Sequence, residues 1–133
     1  MVLFRGMRPD PADGGPLAEN SAGGLGVRPK NGEEGDIPVV DGRVQPLSGG
    51  MSTATDPMSL PPFRRPRAFD GTNDKYRIYM VNEELFSPSL TIRQDDPIEQ
   101  PNHRSVEPVE ETDFEAYVLD LRQSRPNWSQ HEK

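Results

Sequence analysis

The chain has 133 residues, a formal net charge of −7, 32% hydrophobic residues and no cysteine, which allows one modest core and excludes disulfides, thiolate metal sites and a cysteine nucleophile. Leu, Ile, Val and Phe together supply 27 residues, and Pro and Gly another 27, so a compact, loop-rich α+β domain spanning 1–133 is expected, with a disordered chain as its competitor at this composition. Residues 1–82 carry 10 acidic and 10 basic side chains, whereas residues 83–133 carry 12 and 5, an acidic bias that disfavours nucleic acid as a partner.

With His103 and His131 as the only histidines, a histidine-based zinc site is not expected. No run approaches the roughly 20 apolar residues of a membrane span. The start Met1-Val-Leu-Phe-Arg5 lacks the pattern of a signal peptide. The protein is therefore expected to be cytoplasmic as made, with any export using another route.

Val2-Leu3-Phe4-Arg5 reads as a first strand. Residues 7–35 are rich in Pro, Gly, Asp and Asn without periodicity, a long loop for a compact domain. Ile37, Val39, Val40 and Val44 flank Asp41-Gly42, a tight hairpin signal. Gly49-Gly50 then leads into Met51-Ser52, where glycines permit a sharp turn and close approach of a ligand to main-chain N–H groups.

Residues 57–69 contain Pro57, Pro61, Pro62 and Pro66 with the basic run Arg64-Arg65-Pro66-Arg67, and read as an extended or polyproline connector. The run is able to meet a phosphate, although solvated loops also contain such runs. Tyr76 to Val81 and Leu90 to Arg93 have the aromatic and β-branched alternation of strands. Val106 and Val109 suggest another, broken by Pro108 and hence expected at an edge.

A helix is expected from the capping-box spacing of Thr112 and Glu115. Phe114, Tyr117, Val118 and Leu121 then share one face. Pro126 ends the helix, and Trp128 is expected to fold back onto the domain.

Four motifs occur in order: Leu3-Phe4-Arg5 on the first strand, Asp36-Ile37 before a hairpin, Gly49-Gly50-Met51-Ser52, and Asn102-His103 with Val106-Glu107-Pro108 before the last helix. The set resembles the small type VI secretion effector toxins called Tse-two, a family with an ADP-ribosyltransferase-like fold. The resemblance implies a mixed, twisted sheet of short strands with a C-terminal helix. It also implies a toxin that consumes NAD and transfers ADP-ribose to a macromolecular target, together with a cognate immunity protein or antitoxin, and delivery into another cell's cytoplasm.

Carried onto this chain, the aromatic-Arg motif falls on Phe4-Arg5 and the Gly-Gly-Thr-Ser motif on Gly49, Gly50, Met51 and Ser52, with Met51 where the family has Thr. The family's Thr-His falls on Asn102-His103. Phe4, Arg5, Gly49, Gly50, Met51 and Ser52 are thus the expected NAD-binding residues, and Arg5, Ser52 and His103 expected catalytic ones, to which the chemistry of the reaction adds Glu107.

The chemistry fits these residue types. An arginine clasps phosphate or ribose oxygens, a hydroxyl fixes the ribose, and a carboxylate stabilises the cationic sugar that forms as the glycosidic bond breaks. Glu107 is the first choice for that carboxylate, with Glu110 and Glu111 as the others. By itself Arg5 also reads as a surface residue, Ser52 as a turn or cap, and His103 as a solvated loop residue. The competing function is a non-catalytic interaction protein, such as a degenerate family member, an antitoxin or an inhibitor-like binder. A partly disordered acidic adaptor is the third reading.

Overall fold

Leu3, Arg5 and Met7 point to one face of the first strand and Phe4 to the other; strands flank it on both edges, and each face is covered by its own cluster, the main core on the Leu3 and Met7 side and a smaller one against Phe4. The structure, a computed structural model, describes residues 1–132. In chain order the strands and helix are β1 (Val2–Met7), β2 (Arg43–Val44), β3 (Met51–Ala54), β4 (Arg77–Asn82), β5 (Leu90–Arg93), β6 (His103–Pro108), β7 (Thr112–Asp113), α1 (Phe114–Gln123) and β8 (Ser129–Gln130). Six strands form a sheet in the order β5-β6-β3-β1-β4-β8, and β2 pairs with β7 as a separate ribbon.

This is an α+β fold with a C-terminal helix, as expected. The sheet, however, is not mixed: every pairing between named strands is antiparallel. Antiparallel neighbours need no crossover helices, which suits a chain whose single α-helix comes late. The strand expected at an edge is interior, with β6 lying between β5 and β3. Pro108 is compatible with that place because it is the last residue of β6, where the lost N–H leaves no gap in the ladder.

Helix α1 lays Tyr117, Val118 and Leu121 on the main core, with Phe114 packed beside them. The expected capping box does not form. Thr112 pairs with Val44 in the ribbon, and Asp113 occupies the N-cap position without a side-chain hydrogen bond. The N–H of Phe114 instead donates to the Gly42 carbonyl at 2.8 Å, so a neighbouring turn does the work of the cap. That turn has Asp41 at φ +53° and Gly42 at φ +73°, the left-handed pair that an Asp-Gly hairpin turn requires. Trp128 folds back into the core as expected, its indole N–H donating to Ser124 Oγ at 2.9 Å.

The segment between β1 and β2 has no ladder strand, yet it is part of the interior. Leu25, Val27 and Ile37 are fully buried in the main core. The 57–69 connector forms three 3-10 turns, Pro57–Ser59, Pro62–Arg64 and Arg67–Phe69, instead of polyproline. Proline at the start of such a turn has its φ already set and no N–H to satisfy. On the opposite face of the sheet, Ala54, Leu60, Phe69 and Ile78 make a smaller cluster against Phe4. No helix among the described residues is long and apolar enough to cross a membrane.

The Tyr117 hydroxyl links helix to sheet by donating to the Val106 carbonyl at 2.5 Å and accepting from the Met51 N–H at 3.1 Å. Tyr117→Phe leaves a buried N–H without its partner, and an expected loss of about 1–3 kcal/mol is readable by denaturant unfolding. Burial pushes the Tyr117 phenol above its ordinary value of 10.0. The unfolded chain therefore releases this proton first, so stability is unaffected below that pH and falls as pH rises beyond it. An alkaline titration followed at once by tyrosinate absorbance and circular dichroism should show Tyr117 ionising only as the fold is lost.

Candidate functional site

The sheet carries a local opening. β3 pairs with β6 over four residues but with β1 at only one, Phe4 opposite Ala54. Beyond that pair the strands part. The Ser52 carbonyl there accepts from Arg5 Nη1 at 2.7 Å, so the guanidinium fills the place of a ladder bond.

A cleft of about 480 Å³ lies at this opening. Arg5, Gly6 and Ser52 to Ala54 line it from the strands, Ser59 to Pro61 and Arg64 from the 3-10 turns, and 99–103 from the approach to β6. Gly6 sets one wall: a Cβ there would overlap the Arg64 carbonyl oxygen. Only glycine lets the Pro62–Arg64 turn rest on β1, and that contact carries Arg64 to the cleft.

Three of the four residues expected to be catalytic, Arg5, Ser52 and His103, line this cleft, as does Asn102. Arg5 is 3% exposed. Its Nε donates to the Gly24 carbonyl at 3.2 Å and its Nη2 to Gly24 at 2.9 Å, with longer bonds from Nη2 to Ser21, Ala22 and Gly26. Burial lowers its pKa to about 10, against the nearby charge of Asp36, which raises it. It remains a cation at neutral pH.

The Ser52 side chain is half-buried and has no hydrogen-bond partner among the described residues. His103 pairs through Nδ1 with Asp95 Oδ1 at 2.8 Å, which orients the ring and leaves Nε2 unengaged.

Glu107 does not line the cleft. It sits four residues beyond His103 on β6, about 13 Å along a strand, and is fully buried. Arg93 Nε donates to both its oxygens at 3.0 Å, Arg93 Nη2 pairs at 2.9 Å, and the Leu47 N–H donates at 3.0 Å. These contacts make it an internal tie between β6, β5 and the loop before β3. Glu111 bonds Arg43 and Gln45 beside the ribbon, and Glu110 is exposed; neither lines the cleft.

Phe4, Gly49, Gly50 and Met51, expected to hold NAD, are likewise occupied by packing. Gly49 has φ +117°, and a Cβ there would overlap the Asp36 carbonyl. One on Gly50 would strike the Val106 carbonyl and the Tyr117 hydroxyl. Met51 is fully buried in the main core, and Phe4 meets the His131 ring edge-on at 5.2 Å. The glycine pair therefore serves the approach of β3 to β6 and α1.

Arg28, Asp36, Arg64 and Glu99 also line the cleft and were not among the expected site residues. The one sequence signal was the basic run at 64–67, whose members the fold separates. Arg65 is buried and spends its donors on the Leu60 and Phe69 carbonyls. Arg67 is 80% exposed and pairs with Asp74 at 3.4 Å. Arg64 donates from Nη1 to the Ala22 carbonyl at 2.8 Å and lies over the Phe63 ring. Burial lowers the Arg64 pKa and the charge of Arg28 acts in the same direction, while Tyr76 and Asp36 act against them. Arg28 itself reaches Asp36 at 3.5 Å.

Among the described residues no group of three or more His, Asp or Glu side chains is placed to hold a metal ion. Compared with known proteins, the chain matches no family model, no curated protein and no solved structure.

These placements separate stability from site chemistry. Arg5→Gln should destabilise the fold by about 3 kcal/mol or more, since several buried carbonyls lose a charged donor. Ser52→Ala, which breaks no hydrogen bond, should unfold within about 0.5 kcal/mol of the wild type. Paired denaturation curves check both.

Proposed function

We propose that this chain is an NAD-consuming toxin that transfers ADP-ribose to a macromolecular target. The observation that carries the reading is that one cleft gathers Arg5, Ser52 and His103 from three separate strands, three of the residues onto which the resemblance to Tse-two toxins carries a site, although Phe4, Gly49, Gly50 and Met51 lie outside its lining. The cleft volume lies within the range of ordinary ligand sites. Its lining sets Arg5, Arg28 and Arg64 against Asp36 and Glu99, a surplus of positive charge suited to a diphosphate in an otherwise acidic protein.

The reaction breaks the bond between the ribose C1′ and the nicotinamide nitrogen, and the bonding pair leaves with neutral nicotinamide. A nucleophile on the target then bonds to the cationic C1′ and gives up a proton. In this reading Ser52 Oγ, free of protein partners, holds a ribose hydroxyl. His103, oriented by Asp95, accepts the nucleophile's proton at Nε2. Glu99 takes the role first expected of Glu107, because it is an exposed carboxylate on the cleft lining whose side chain bonds no other described residue. A carboxylate there offsets the charge of the ribosyl cation. A toxin of this kind requires a neutralising immunity protein or antitoxin in the cell that makes it.

The second reading, a non-catalytic binder, is favoured by one feature: Glu107 is withdrawn from the cleft into its bonds with Arg93 and Leu47. A degenerate member would retain the fold and the cleft without turnover.

Nicotinamide release from NAD in cell lysate, which supplies unknown targets, separates the two. The wild type is expected to release nicotinamide, with Ser52→Ala, His103→Ala and Glu99→Gln each slower by about 10²-fold or more. A folded wild-type protein that releases none above the lysate background would favour the binder.

A further inference from the structure

We infer that Arg64 and Arg28, and not Arg5, form the anion subsite of the cleft and grip the diphosphate of a nucleotide ligand. The inference deepens the NAD reading by assigning its diphosphate, and it rests on that reading only for the ligand's identity.

A bidentate grip on a phosphate requires two N–H groups along one edge of the guanidinium fork. In Arg5 the Nε and Nη2 edge is spent on the carbonyls of Gly24, Ser21, Ala22 and Gly26, and Nη1 already holds Ser52. What remains is too little for a fork.

Arg64 presents the opposite case. Only its Nη1 is engaged, on the Ala22 carbonyl, and its Nε and Nη2 edge has no partner among the described residues. It makes no ion pair with a carboxylate there, although it lines a cleft and is partly withdrawn from water. Asp36 acts on Arg64 from nearby but a second cation stands beside it as well, and an anion in the cleft would relieve the excess charge of a partly desolvated guanidinium. Arg28 supplies that second cation. Its one side-chain partner is Asp36, at 3.5 Å, a contact weak enough to yield to a phosphate.

The wall that holds Arg64 is also fixed in advance. Its carbonyl rests on Gly6, and its turn is closed by the Arg64 N–H donating to the Pro61 carbonyl at 2.9 Å. Arg65 and Arg67, the other cations of the run, are committed to the Leu60 and Phe69 carbonyls and to Asp74. Arg64 is the member of the run left for a ligand.

The test is isothermal titration of the folded protein with inorganic pyrophosphate and with ADP-ribose, alongside Arg64→Gln, Arg28→Gln and Arg67→Gln. Binding of both probes is expected in the wild type and weakens as salt is raised. Arg64→Gln should lower affinity for both by about tenfold or more, Arg28→Gln by a smaller factor, and Arg67→Gln should leave it unchanged. Should Arg64→Gln fail to fold by circular dichroism, Arg28→Gln decides the matter, since its side chain holds only Asp36. Wild-type affinity in both the Arg64 and Arg28 variants, or no binding of either probe by the wild type, overturns the subsite. Pyrophosphate binding that depends on Arg64 without nicotinamide release retains the subsite and removes the transferase reading. Nicotinamide release with full affinity in both variants does the reverse.

Discussion

A single buried cation holds the loops of this protein to its sheet. Arg5 stands on the central strand β1, and its guanidinium reaches carbonyls from the Ser21–Gly26 segment on one side and from Ser52 on the other. Burying an arginine without a carboxylate partner is costly. Here a ring of carbonyl dipoles offsets the lost hydration, and the charged donors order a segment too rich in Pro and Gly to form a ladder of its own. With that segment held, Leu25, Val27 and Ile37 enter the core. A chain with few large apolar residues thereby closes its interior with loop side chains.

The same interaction creates the cleft. Because Arg5 takes the Ser52 carbonyl, β1 and β3 separate after one pair, and space opens between strands that would otherwise zip together. One wall of the opening is a main-chain contact that a side chain would prevent, Gly6 against the Arg64 carbonyl, and away from the lining Gly49 and Gly50 admit the carbonyls of Asp36 and Val106 where β3 packs. Backbone contacts of this kind are stiffer than side-chain packing, so Ser52, His103 and Arg64 stand on a well-defined frame. Glu107 and Arg93 brace its far side from within.

Electrostatics divide along the same lines. The net charge of −7 describes the outer surface, where carboxylates pair with Arg43, Arg67 and Arg125. The cleft has the opposite sign because its arginines bond mainly to carbonyls, which neutralise no charge. An acidic protein can therefore present a local anion site that its overall charge conceals.

The sequence alone determined β1 from a short apolar run, β4 and β5 from alternation, the buried face of α1 from helical spacing and the Asp41-Gly42 turn from its dipeptide, since each follows from residues close in the chain. The ordered motifs also singled out Arg5, Ser52 and His103, which share the cleft. Tertiary structure alone decided that β6 is interior, that Gly42 caps α1 in place of Thr112, that Glu107 is an internal tie, and that Arg64 faces the cleft while Arg65 and Arg67 do not. In each of these, a contact between distant segments selects among local options of similar energy. A glutamate on a strand is exposed or paired depending on its cross-strand neighbour, and that neighbour, Arg93, becomes adjacent only when the sheet forms.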